Sequence, residues 1–187
     1  LKSLEPQVSC NRIYYLAVSY NFMPLIVKQL SKYKLHKDPK CFRRVVFEKP
    51  FGHDLKSSNE LNKSIRRVFK EKDIYRIDHY LGKETVQNIL TMRFTNPIFE
   101  AVWNSKFIDH IHIVSDEEIG VEGRLEYYDK AGAIRDMIQN HLLQIASLVL
   151  MEPPKKISER FVHDEKVKVL KKIKPKKLVK GQYKAYP

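Results

Sequence analysis

The sequence predicts an α/β segment built on a parallel sheet, followed by the start of a larger α+β segment, and three observations carry that expectation. Residues 11–48 read as strand, helix, strand. Near Lys72 the order changes to helix, strand, helix. Alternating strands and helices favour a parallel sheet, whereas segregated elements favour α+β packing. A long stretch with a helical apolar stripe, 133–151, then has no strand inside it.

Each element has a local reason. NRIYYLAV, Asn11 to Val18, is short and rich in aromatic and β-favouring residues, which suits a buried strand. Pro24 fits a first helical turn, and Leu25, Ile26, Gln29 and Leu30 continue a helical face to about Lys34. Arg43 to Glu48 reads as a second buried strand. Ser57 and Glu60 have the spacing of a capping box, and Leu61, Ile65, Val68 and Phe69 follow at helical intervals, so a helix is expected over 58–70. Glu71 to Arg76 is then expected to bridge two domains.

Val86, Ile89, Leu90 and Phe94 share one face of a further helix that stops before Pro97. Ile108 to Val114 alternates, with Ile111 and Ile113 on one side and His110 and His112 on the other, as in a strand. In the long helix, Met137, Ile138, Leu142, Ile145, Leu148 and Val149 supply the expected buried stripe, and Pro153-Pro154 ends it.

Composition narrows the classes of function. With 187 residues and 43% hydrophobic content the chain can bury a sizeable core. It has neither an 18-residue apolar run nor a basic-then-apolar leader, so a non-secreted, cytoplasmic protein is expected. Cys10 and Cys41 lack metal or redox spacing and read as free thiols. The formal charge of +13 is mostly terminal: eleven lysines and one arginine stand against three acids after residue 154. That tail has no RNP-like, zinc-finger or helix-turn-helix pattern, which argues against specific nucleic-acid recognition and for a solvated surface. Asp109, His110 and His112 lack a third metal ligand at recognisable spacing, so no metal is expected.

Chemistry concentrates in RIDHYLGKE, Arg76 to Glu84. Lys83 offers a point charge, His79 and Tyr80 directional hydrogen bonds, and a helix starting near Gly82 its first backbone N–H groups, together a set suited to phosphate. Asp78 would repel a phosphate; a carboxylate there is better suited to orienting a neighbouring histidine. The chain opens at Leu1 without methionine and contains no GxGxxG turn, so a fragment is expected.

RIDHYLGKE resembles the active-site signature of the glucose-6-phosphate dehydrogenase family. VVFEKPFGHDL, Val45 to Leu55, is similar to that family's strand and loop bearing a lysine shared by sugar and nicotinamide, and GVEGRLEYYDKAGAIRDMIQNHLLQ, Gly120 to Gln144, to the segment carrying its catalytic base. The resemblance implies that residues 1–72 are the last part of a Rossmann-like NADP-binding domain and 73–187 the start of an α+β substrate and dimerisation domain. It implies His141 as the base for the sugar's C1 hydroxyl and Asp78 as the carboxylate pairing with it. It further implies His79, Tyr80 and Lys83 as ligands of the 6-phosphate, Glu117 and Asp136 as acceptors of sugar hydroxyls, and Lys49 as a contact of both substrate and cofactor.

Glucose 6-phosphate and NADP+ are thus the implied partners, no metal is required, and self-association of the full-length protein is expected. At 100° per residue Asp136 and His141 would lie about 140° apart around an α-helix. One departure concerns the cofactor side: where the family usually has a proline pair, this chain reads Val18-Ser19-Tyr20. Two other readings use the same residues, a catalytically incomplete sugar-phosphate-binding or interaction module and an anion-binding module driven by the lysine-rich tail. Trp103 reads as packing, and Glu118, Glu122, Arg124 and Asp129 as solvated charges.

Overall fold

A computed structural model describes residues 11–116, 120, 121, 123 and 125–182, which pack as two compact units. The first holds described residues up to His79 together with 125–135; the second holds those from Tyr80 to Gly123 and from Asp136 onward.

In the first unit β1 (Arg12–Leu16), β2 (Arg43–Glu48) and β3 (Ile74–Ile77) form a parallel sheet in that order. The register pairs Tyr14 with Val45, Leu16 with Phe47 and Val45 with Ile74, so these side chains share a face. That face is covered by Met23, Val27 and Leu30 of α1 (Met23–Lys32) and by Leu61 and Ile65 of α2 (Leu55–Arg66), with Phe69 beyond. Val45 and Phe47 are fully buried, and burial of such side chains contributes about 1.5–3 kcal/mol each. Ile13 and Tyr15, on the alternate positions of β1, remain exposed. Tyr15 nevertheless has an anchor: its hydroxyl donates to the Glu48 carboxylate at the end of β2, and that bond raises the phenol's pKa.

Pro24 does open the first turn of α1. The cap of α2 differs from the expected Ser57–Glu60 box and the helix begins earlier. Asp54 is the N-cap: its carboxylate accepts from the Ser57 backbone N–H at 2.7 Å, while Ser57 Oγ accepts from the Asp54 N–H at 3.1 Å. A carboxylate three residues before serine satisfies the same orphan donors as the anticipated pair, one turn upstream. The expected bridge, 71–76, also differs, since Ile74–Ile77 is a strand hydrogen-bonded to β2. Four residues are too short for periodicity to reveal; pairing makes the strand.

The second unit contains α3 (Glu84–Phe94), α4 (Pro97–Val102) and α7 (Glu159–Lys172), whereas α5 (Leu125–Ala133) belongs to the first. Gly132, inside the end of α5, has φ 68° and ψ 165°, a conformation restricted to glycine, and the helical path breaks there. The chain then winds as a π-helix over Ile134–Leu142 and continues as α6 (Leu143–Leu150). The expected helix over 133–151 is therefore present but partly π-wound, and its inner face differs. Asp136, His141, Ser147 and Leu148 are buried, while Ile138 is exposed, because the i→i+5 repeat rotates side chains away from their α-helical positions.

Residues 108–114 are irregular, not a strand. Among the described residues no strand lies in the second unit to receive their N–H and C=O groups, and alternation alone cannot make a ladder. The basic tail also departs from a purely solvated surface: α7 presents Val162 and Val169 to a core of Val86, Leu148 and Met151, which Ile89, Leu90, Phe94 and Ile145 complete. Cys41 is a free thiol; Cys10 lies outside the described residues. No helix among the described residues is long and apolar enough to cross a membrane.

Arg93 closes this second core. Its guanidinium donates to the Leu148 carbonyl at 2.7 Å and the Met151 carbonyl at 2.9 Å, and the Trp103 indole donates to the Val149 carbonyl at 2.9 Å. These are carbonyls that the end of α6 leaves without intrahelical partners. A cation there also complements the helix dipole.

Replacing Arg93 by Met should cost about 3 kcal/mol, because charge-assisted hydrogen bonds contribute about 1.5–3 kcal/mol each and two buried carbonyls lose their donor; the urea midpoint measures it. Asp54 makes a pH prediction. The Ser57 backbone N–H, then its hydroxyl, hold the carboxyl below its ordinary range, with smaller help from His53 and Lys56. The unfolded chain thus binds this proton more readily, so the cap's contribution is complete above about pH 4 and is lost as pH falls through the lowered folded value. Asp54→Ala should destabilise the chain at neutral pH and make the acid limb of its stability profile shallower; an unchanged acid limb counts against this cap.

Candidate functional site

Parallel strands bring two of the expected residues to one edge. Glu48 pairs with Ile77, so Lys49 and Asp78 are the next residues beyond the carboxyl ends of β2 and β3. Ligands of open α/β sheets bind at that edge. Lys49 is joined to Pro50 by a cis peptide bond, and the chain then turns at Gly52, with φ 93°. A Cβ at Gly52 would lie 2.6 Å from the Ser58 backbone nitrogen, so the turn can close against the start of α2 only with glycine.

After Asp78, residues His79–Gly82 form a 3-10 turn, and Lys83 is the N-cap residue of α3. The helix therefore begins just after the expected position, with no side-chain cap on its first N–H groups. Asp78 is half-buried and His79 exposed.

Tyr80 is the hub of the second unit's cluster. It is 6% exposed, its ring stacks on that of His141 with centroids 4.1 Å apart at 16°, and Lys83 Nζ lies 3.8 Å from its centroid. Its hydroxyl lies 3.1 Å from Ser115 Oγ. The 3-10 turn makes this arrangement available: the Lys83 N–H bonds back to the Tyr80 carbonyl at 3.2 Å, folding the lysine over the ring three residues before it.

His141 is 1% exposed and Asp136 5% exposed, both in the π-wound segment. The separation of about 140° expected for an α-helix does not apply, because an i→i+5 repeat returns residue 141 toward residue 136. Both polar side chains consequently face the interior of their unit. Such buried polar groups are retained where they are hydrogen-bonded or chemically employed.

The structure thus gathers Tyr80, Lys83 and His141, puts Asp136 on the same inner helix face as His141, and aligns Lys49 with Asp78 along the sheet edge. Glu117 lies outside the described residues. Two contributors went unrecognised in the sequence. Ser115, the partner of Tyr80, carries no spacing signal of its own. Arg93 does carry one, since it follows Val86 by seven and Leu90 by three, which places a cation on the apolar face of α3. His110, exposed and 2.8 Å from an Asp109 carboxylate oxygen, belongs to a surface cluster with His112.

The chain is similar to known proteins over most of its length. Residues 1–88 match the family model "Glucose-6-phosphate dehydrogenase, NAD binding domain" and residues 90–186 its "C-terminal domain". The chain is 51% identical over 178 residues to glucose-6-phosphate 1-dehydrogenase of Borreliella burgdorferi, covering 91% of this chain and 37% of that protein. Against the Bacillus subtilis enzyme it is 47% identical over 186 residues, covering 96% and 38%. A solved glucose-6-phosphate dehydrogenase in complex with its substrate glucose-6-phosphate superposes with a TM-score of 0.79 at 44% identity, over 86% of this chain and 33% of that one. Glucose-6-phosphate 1-dehydrogenase from Mycobacterium avium gives 0.78 at 41%, over 85% and 35%. The chain spans about a third of the length of these relatives, and it belongs to the glucose-6-phosphate dehydrogenase family.

Proposed function

We propose that these residues are the sugar-phosphate and nicotinamide-facing part of a glucose-6-phosphate dehydrogenase, which oxidises glucose 6-phosphate to 6-phosphogluconolactone in the oxidative branch of the pentose phosphate pathway. The observation that carries the reading is the contact of Tyr80 with buried His141 on one side and exposed Lys83 on the other, an imidazole and an ammonium gathered on one phenol ring. On this reading His141 takes the proton of the C1 hydroxyl, and Asp78 is the carboxylate that orients the base and balances the imidazolium formed. His79, Tyr80 and Lys83 hold the 6-phosphate, by hydrogen bonds and a point charge. Glu117 and Asp136 accept from sugar hydroxyls, as ionised carboxylates, being acceptors only, are suited to do.

Lys49 at the carboxyl edge of the sheet aligns the sugar with the cofactor; its compact ammonium can donate to a hydroxyl and an amide from one position. When bound, the nicotinamide of NADP+ accepts the hydride leaving C1. The open edge of parallel strands beside Lys49 fits the nicotinamide end, while no glycine-rich phosphate turn is present in the sequence. NADP+ in preference to NAD+, a cytoplasmic location and self-association of a longer chain are part of the same proposal. No nucleic acid or metal enters it.

Turnover, followed as NADPH absorbance with glucose 6-phosphate and NADP+ and compared with NAD+, should fall by about 10² to 10⁴-fold on His141→Ala; equal rates would remove His141 as the base. Lys83→Ala should weaken glucose 6-phosphate binding about tenfold, a loss of about 1.4 kcal/mol, and leave the affinity for glucose unchanged. Calorimetry reads that difference even in a chain without turnover, where binding alone supports the second reading, a catalytically incomplete sugar-phosphate module.

A further inference from the structure

The loops that follow β1 and β2 leave the same carboxyl edge of the sheet, because the two strands are adjacent and parallel. A side-chain pair joins them. Tyr20 opens a short 3-10 turn, Tyr20–Phe22, after β1, and its hydroxyl lies 3.2 Å from Nδ1 of His53, with the two ring centroids 6.3 Å apart. His53 stands four residues beyond Lys49, in the span that connects β2 to α2. Its other ring nitrogen, Nε2, lies 3.4 Å from an Asp54 carboxylate oxygen. An ionised carboxylate accepts only, so the proton of a neutral imidazole belongs on Nε2, and Nδ1 is left as an acceptor. The phenol is therefore the donor of the bond.

The rest of this span is already anchored. Lys49 begins it at the end of β2, the half-buried Phe51 ring packs on the core of the first unit, as does that of Tyr20, and the His53 N–H donates to Ser57 Oγ at 3.0 Å in the first turn of α2. With those points held, the bond from Tyr20 decides where the exposed crest at His53 stands relative to the loop after β1. Both loops border the edge at which open α/β sheets bind their ligands.

We propose that Tyr20 is a positioning residue for the nicotinamide end of the dinucleotide: by donating to His53 Nδ1 it ties the Lys49 loop to the loop after β1 and sets the opening between them. The tie rests on the reading of Lys49 as a contact of both sugar and cofactor. It acts through that lysine and moves no proton of the reaction.

NMR of the full 187-residue chain tests the tie without ligand, in mildly alkaline buffer where an imidazole is neutral. An imidazole nitrogen that accepts a hydrogen bond resonates upfield of one that does not. Tyr20→Phe keeps the ring and removes the donor, so the His53 Nδ1 signal should move downfield while Nε2, facing Asp54, stays in place. The Lys49 amide and ε-methylene signals should shift with it. His53→Ala should reproduce the Lys49 shifts, and the double variant should add nothing further, since both changes delete one interaction. His53→Asn, whose side-chain oxygen can replace Nδ1 as acceptor, should restore them. An unmoved Nδ1, or additive Lys49 shifts, overturns the tie; if Tyr20→Phe does not fold, the two variants at exposed His53 decide it. Calorimetry reads the consequence. Tyr20→Phe should weaken NADP+ and NAD+ by the same factor, about two- to tenfold, the loss of one hydrogen bond, because the tie lies at the end that the two cofactors share. His53→Asn should keep the wild-type affinity. Unchanged affinity in Tyr20→Phe, or a loss confined to one cofactor, overturns the positioning role. A wild-type chain that binds neither cofactor removes the cofactor reading of this edge and the positioning role with it, and the NMR comparison then decides the tie by itself.

Discussion

The carboxyl end of α6 is where the second unit is secured. A helix end leaves carbonyls without donors, and burying them unpaired is costly. Here the Arg93 guanidinium and the Trp103 indole, from two other segments, receive the carbonyls of Leu148, Val149 and Met151. That arrangement ties α3 to α6. Since Lys83 caps α3 at its start and His141 lies in the π-wound approach to α6, the same tie sets the separation of the two side chains that meet at Tyr80. The cluster at Tyr80 therefore depends on a buried cation that lies outside it.

Tyr80 gathers polar side chains on that scaffold. It brings an ammonium and an imidazole, seldom neighbours because both can carry positive charge, onto one neutral aromatic ring. The ring's face attracts the cation, and stacking holds the imidazole without requiring a charge on it. In the first unit a separate constraint operates. The register of β2 with β3 sends Lys49 and Asp78 off adjacent strand ends, and the tight glycine turn at Gly52 carries the chain directly into α2. Strand register sets Lys49 and Asp78 side by side, whereas ring contacts gather Lys83 and His141 on Tyr80.

How much of this could be read in advance varies with the kind of signal. β2 was legible residue for residue, because Arg43 to Glu48 is a compact β-favouring run. α1 and α3 were legible within a few residues from their apolar spacing. The cap of α2 was misplaced by one turn because two serine- and acid-containing patterns overlap there, and only backbone geometry chooses between them. β3 was missed, since four residues carry too little periodicity. Residues 108–114 were read as a strand from alternation, and the described structure provides no pairing partner. The candidate site residues were named from the residue types of Arg76 to Glu84 and from a motif resemblance. Their contacts were not, and the π winding that turns Asp136 and His141 inward has no signature in spacing rules built for 3.6 residues per turn.

By itself the sequence determined the family, the α/β class of the first segment and the chemical types at the site, because these follow from short ordered motifs and local hydrophobic period. Tertiary structure alone decided that Tyr80 would hold His141 and Lys83 together, that Ser115 would meet the phenol and that Arg93 would close α6. Those contacts join residues between 3 and 61 positions apart in the chain. The longer ones form only when helices pack, and packing is a property of the assembled core that no local stretch of sequence contains.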